Sequence, residues 1–291
     1  MKWEGEEESS NVEDRRSIGK TGMAIGGIGG LLILLVGAYF GIDPQQLNKL
    51  IGNAQVGGGG AGNGQAERPL TAEETKGGKF AATILRFTEK VWDEQFGKAG
   101  KTYEHPHMVL FAEQVQTGCG AAPSAVGPFY CPADKTVYLD PTFFDELEKK
   151  LGGSRAEFSQ AYVIAHEVGH HVQNLLGYSR IVDEKRRTLP KGEFNRWSVR
   201  LELQADYLAG VWAYYGQKDF NFIEPGDVES AIQSANAIGD DRLQKNATGF
   251  VSPEKFTHGT SAQRVKWFRS GLETGDLKHL RSIFEMPYEQ L

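Results

Sequence analysis

The sequence predicts an α+β fold: a mostly helical domain with a small β-sheet, preceded by a single transmembrane helix. Three observations carry this. Residues 21–42 hold no charged side chain, and β-forming apolar runs are confined to residues 107–139. Nearly everything beyond residue 155 places apolar residues at helical intervals. The hydrophobic fraction of 40% and charged fraction of 24% are those of an ordinary folded protein. A net charge of -6 argues against nucleic acid as a partner, because phosphate recognition calls for a basic surface.

The first twenty residues are almost wholly polar, with acidic Glu6, Glu7 and Glu8, and read as a disordered tail. Thr21–Ile42 follows, with an apolar centre at Leu31–Val36. At about 1.5 Å per residue it makes about 33 Å of helix, enough for a bilayer core of about 30 Å. A cleaved signal peptide is the rival reading, with Val36-Gly37-Ala38 as its cleavage site. The long, partly acidic region before it favours an uncleaved anchor. Lys2, Arg15, Arg16 and Lys20 precede the span and only Lys49 follows closely, so the expected orientation is single-pass, with the amino terminus cytoplasmic and the large domain extracytoplasmic. Residues 43–70, with four consecutive glycines at 57–60, read as a flexible linker.

The folded domain is expected over 71–291. Thr71 with Glu74 three residues on is a capping-box start, and Phe80, Ile84, Phe87, Val91 and Trp92 give that helix its apolar face. Residues 107–115 read as a strand, and Phe129–Leu139 as one or two more, Thr136–Leu139 being the clearest. A short helix opens at Pro141, and further helices are expected near 155–176, 191–215, 226–237, 260–271 and 275–284. Cys119 and Cys131 flank a glycine- and proline-rich stretch. They suit a disulfide closing a loop outside a reducing cytosol, two separate thiols being the alternative.

The chemistry sits in the helix FSQAYVIAHEVGHHVQNLL. Two histidines and a glutamate in so apolar a helix are costly unless something pairs with them. His166 and His170, four apart, share a face and can grip one ion, while Glu167 can reach a zinc-activated water as general base. The positions six and nearer beyond His170, Leu176 and Gln173, exclude the pattern in which a third histidine completes the site. A later apolar helix offers a glutamate instead: Glu202 as third ligand, with Asp206 four residues on accepting a hydrogen bond from the far nitrogen of a ligand histidine, His166 being the partner expected. His171 lies about 100° round the helix and is expected to be a packed histidine.

The stretches NVEDRR, TGCGAAPSAVGPFYCPADKTVYLD, YVIAHEVGHHVQNLLG, RLELQADYLAGVW, AIGDDRLQ and FTHGTSAQRVKWF resemble the bacterial neutral zinc metallopeptidase family over nearly the whole chain. The resemblance implies a membrane-anchored, zincin-like, gluzincin-type peptidase with one Zn2+ per chain and a peptide or protein substrate; it supplies no particular substrate. In the late motif, His258 is the candidate oxyanion donor and Arg264 a candidate substrate or oxyanion residue, against a helix cap and a surface ion pair. Asp240-Asp241-Arg242 stays unassigned. Thr136–Leu139, if an exposed edge, could pair with an extended substrate. The competing reading is a non-catalytic membrane-tethered zinc-binding adaptor or chaperone-like protein, which would not need Glu167.

Overall fold

The structure, a computed structural model, describes residues 1–17 and 68–291. The expected span 21–42, and the linker up to residue 67, lie outside the described residues. Among those described, no helix is long and apolar enough to cross a membrane.

The chain begins with a strand, β1 (Val12–Asp14), and this differs from the expectation of a disordered tail. β1 runs parallel to β2 (His107–Leu110), pairing Val12 with Met108 and Asp14 with Leu110. Between these segments comes helix α1 (Ala72–Lys98), opened by the expected capping box: Thr71 Oγ1 accepts from Glu74 N at 3.1 Å and Glu74 Oε2 from Thr71 N at 2.8 Å. α1 holds the polar leading segment in place. Its buried Glu89 accepts from Ser9 Oγ (2.6 Å) and Asn11 Nδ2 (2.8 Å), and Trp3 packs edge-on against Phe80 with ring centres 5.2 Å apart. Sequence alone hides this because the partners lie some eighty residues away, and the segment has no apolar period of its own.

The expected strand over 107–115 is broken in two. Glu113 adopts a positive φ of 66°, and its N–H donates to the Asp140 carboxylate at 3.1 Å. That turn starts β3 (Gln114–Thr117), which pairs only with β4 (Gly120–Pro123) in a separate ribbon. β5 (Phe129–Cys131) and β6 (Thr136–Leu139) follow, and the four-stranded sheet has the order β1-β2-β6-β5. β6 is therefore a central strand with all four residues buried, not an exposed edge; β1 and β5 are the outer strands. Cys119 and Cys131 are joined in a disulfide that closes the loop leading into β5.

Helices make up the rest. After α2 (Phe143–Glu146) and one wide turn come α3 (Glu157–Leu176), α4 (Tyr178–Thr188), α5 (Lys191–Phe220), α6 (Asp227–Ala237), α7 (Asp240–Thr248), α8 (Ser261–Thr274) and α9 (Ser282–Glu285). α4 and α7 are additions to the sequence reading, and the helix expected at 275–284 is two short pieces, a 3₁₀ turn at Leu277–His279 and α9.

α3 lies at the centre, packed by α1, α4, α5, α6 and the β5–β6 hairpin, which explains why it is apolar nearly all round. Two close crossings fix its neighbours. A Cβ at Gly169 would lie 3.1 Å from the Ala205 carbonyl, so α3 and α5 meet backbone to backbone at the site. At the next crossing, a Cβ on Gly210 of α5 would sit 2.1 Å from Phe268 O, and one on Gly271 of α8 would sit 2.1 Å from Tyr207 O. Only glycines allow α8 to approach this closely.

Candidate metal centre

His166 and His170 project from α3 toward Glu202 on α5. His166 Nε2 lies 3.3 Å and His170 Nε2 3.6 Å from Glu202 Oε2, and the donor atoms of all three fall within 4.8 Å of one another. Two donors bound tetrahedrally at about 2.1 Å from one ion would stand about 3.4 Å apart, so these separations suit zinc.

The far nitrogens are committed. His166 Nδ1 lies 2.9 Å from Asp206 Oδ1, one turn beyond Glu202 on α5. His170 Nδ1 lies 2.8 Å from Gln173 Oε1, whose amide in turn donates to the Leu201 carbonyl at 2.6 Å. With each Nδ1 as donor, both Nε2 lone pairs face the same point, which is what a metal ion needs. Gln173 was not singled out as a partner in the sequence. Its position three residues after His170, on the same helical face, was the available signal.

Behind His166 stands a buried network. The fully buried Asp206 also accepts from Tyr162 Oη at 2.6 Å and from Arg264 Nε and Nη2 at 2.8 and 3.0 Å. Arg264 is thus not a substrate-facing or oxyanion residue, as the sequence suggested, nor a surface ion pair. It is buried, with both faces of its fork spent on Asp206. Tyr162, one turn before His166, was also missed, since an aromatic on a buried helix carries no mark of a polar role.

Charges within the centre are strongly coupled. Burial pulls the His170 imidazole down, but Glu202, with Glu167 and Gln173 adding to it, lifts it to about 9. Glu202 is held well below the usual carboxylate range against burial, chiefly by His170 and then His258. Asp206 is held at about 2, again against burial, by Arg264 and His166. Glu167 moves the other way: burial raises it, with the two histidines opposing.

His258 lies in the loop before α8, with an exposed side chain on a tightly held backbone. Asp240, at the start of α7, accepts from the N–H groups of Thr257 (2.6 Å), His258 (2.6 Å) and Gly259 (3.1 Å), and its other oxygen is 3.3 Å from His258 Nδ1. Partial desolvation of the half-exposed ring lowers the imidazole, yet Glu202 and then Asp240 raise it to about 9. The helix cap is Thr260, not His258, and Asp241 accepts from Ser261 N at 2.7 Å. Two of the three unassigned residues therefore hold the His258 loop. His171 points away from the centre: Nδ1 meets Tyr130 Oη at 3.0 Å and Nε2 the Glu104 carbonyl at 2.6 Å, pinning α3 to β5.

Residues 1–282 match the family described as "Putative neutral zinc metallopeptidase". The chain belongs to this family. Among its relatives is YpfJ of Escherichia coli K12, an uncharacterized protein 46% identical over 286 residues, covering 95% of this chain and 96% of its own. Another is the uncharacterized protein Rv2575 of Mycobacterium tuberculosis, 49% identical over 184 residues, 60% of this chain and 61% of its own. No solved structure matches. Family and ligand set together make zinc the cofactor of this centre, with His166, His170 and Glu202 able to hold it.

Proposed function

We propose that this chain hydrolyses peptide bonds in protein substrates. The observation that carries the reading is the pairing of a converging His166–His170–Glu202 set, both far nitrogens anchored, with a buried neighbouring carboxylate, Glu167, outside that set. A zinc ion held there would polarise a scissile carbonyl and bring the pKa of a water towards about 7.

The chain's own groups do the rest. Glu167, buried beside the ligand histidines and raised by that burial, can accept a proton from water and return it to the leaving amine. His258, exposed and with Nδ1 3.3 Å from the Asp240 carboxylate, can donate to the oxygen that gains charge. Loss of such a donor typically costs about 10²–10³ in rate. Asp206, Tyr162 and Arg264 keep His166 in one tautomer and orientation. The outer strand β5 is braced against α3 by Tyr130, whose hydroxyl accepts from Asn174 Nδ2 at 3.0 Å, and it can receive an extended substrate in place of the central β6. The disulfide supports a catalytic domain working outside the cytoplasm.

The test uses the full chain, because residues 1–17 are part of the fold. Wild type and Glu167→Gln are loaded with zinc, the metal content of each is measured, and cleavage of unfolded protein substrates is followed. Wild type should cleave, and the variant should bind zinc equally but lose nearly all activity. Equal activity in both would remove Glu167 from the chemistry. Zinc in both with cleavage in neither would leave the adaptor reading standing.

A further inference from the structure

The two ends of the stretch between the described parts lie side by side. Ser17 O accepts from Arg68 N at 2.9 Å. Just before it, β1 occupies the outer position of the main sheet, and Arg16 is buried, its guanidinium forked on Asp14 at 2.9 and 2.5 Å. Farther back, Glu7 bridges Arg86 (3.2 Å) and Lys90 (3.0 Å) on α1, and Trp3 is in the core.

From these contacts we infer that residues 1–17 share a compartment with residues 68–291, against the expectation that a bilayer separates them. Ser17 is four residues from Thr21, a reach of at most about 14 Å, well short of a hydrocarbon core of about 30 Å. Ser17 therefore stays on the face at which Thr21 would enter. Arg68 is hydrogen-bonded to it, so the chain must be back on that face by residue 68. A return crossing needs about 20 more apolar residues. Residues 43–67 instead carry Asp43, Lys49 and Glu67 among glycines, glutamines and asparagines. A segment of that composition would leave backbone groups unpaired in hydrocarbon.

The orientation expected from the basic residues dissolves on the same observations. Of Arg15 and Arg16, half of the positive count before the apolar stretch, Arg16 is buried on Asp14, while Arg15 pairs with Glu13 at the surface of the same strand end at 2.8 and 2.7 Å. Leading segment and metal-binding domain then lie together on one face of any membrane that the chain meets. This inference is independent of the proposed peptidase activity.

Its test places single reporter cysteines in the full chain at exposed Glu6 and at exposed Lys101, and the chain without a reporter is labelled in parallel so that any signal from Cys119 and Cys131 is subtracted. A membrane-impermeant maleimide is applied to intact spheroplasts, to inverted vesicles and to detergent-solubilised protein, the last to show that both positions react when free. Labelling of both positions from the same side is expected, whichever side that is. Labelling from opposite sides would overturn the inference. A second arm places cysteines at Glu13 and Val109, whose Cα atoms are register partners across β1 and β2. An intrachain crosslink in the membrane preparation is expected. A crosslink found only between two chains, or none under oxidation, would show that residues 1–17 are not docked on their own domain.

Discussion

Asp206→Asn separates two quantities that the network behind His166 joins. The carboxylate is fully buried and takes four donors, Tyr162 Oη, His166 Nδ1 and two nitrogens of Arg264. Neutralising it leaves the Arg264 guanidinium buried without its counter-charge, which in comparable pairs costs about 3–5 kcal/mol. For a domain of this size, each 1 kcal/mol moves the melting temperature by about 2–4 °C, so a fall of roughly 10 °C is expected. Apart from stability, His166 loses the charged acceptor that holds its tautomer, an amide that can also turn its NH2 to the ring being a weaker substitute, and partners of this kind are worth about 10–100-fold in metal affinity. The assay pairs thermal unfolding with zinc competition against a chromophoric chelator. The decisive comparison is a double variant, Asp206→Leu with Arg264→Met, which removes both charges at once. It should recover most of the stability, as apolar replacement of buried pairs often does, while zinc affinity stays low. Zinc affinity within twofold of wild type in a folded Asp206→Asn protein would refute the assignment of Asp206 to His166.

Two further outcomes follow from the geometry. Gly210→Ala should destabilise by about 1–3 kcal/mol in urea unfolding, although a helical Gly→Ala change otherwise gains about 1 kcal/mol, because the new Cβ would lie 2.1 Å from Phe268 O; unchanged or raised stability would mean that α5 and α8 are not locked at this crossing. In zinc-free protein the His258 imidazole should titrate near 9, so its contribution to stability is complete below its unfolded value of about 6.5 and is lost as pH rises through about 9. Proton NMR should show this value lowered by Asp240→Asn, and also by zinc, whose charge offsets Glu202; a titration near 6.5 in wild type would show that neither carboxylate reaches the ring.

The fold and the candidate centre were unequally legible in the sequence. Features confined to one helix could be read directly. The capping box at Thr71 and Glu74, the ligand pair His166 and His170, and the pair Glu202 and Asp206 are each set by a three- or four-residue spacing, and the helical period turns that spacing into a shared face. What depended on distant chain segments could not be read. Arg264 looked like a substrate residue until the Gly210–Gly271 crossing set it against Asp206, 58 positions away. β6 looked like an edge until β2 and β5 flanked it, and the polar leading segment looked disordered until Glu89, Arg86 and Phe80 supplied its partners. The sequence by itself determined which side chains could hold a metal, because ligand spacing is a local property of the helix. The tertiary structure alone decided that Tyr162 and Arg264 join Asp206 behind His166 and that the leading segment packs against α1 and β2, because both depend on contacts between helices and strands that no local period encodes.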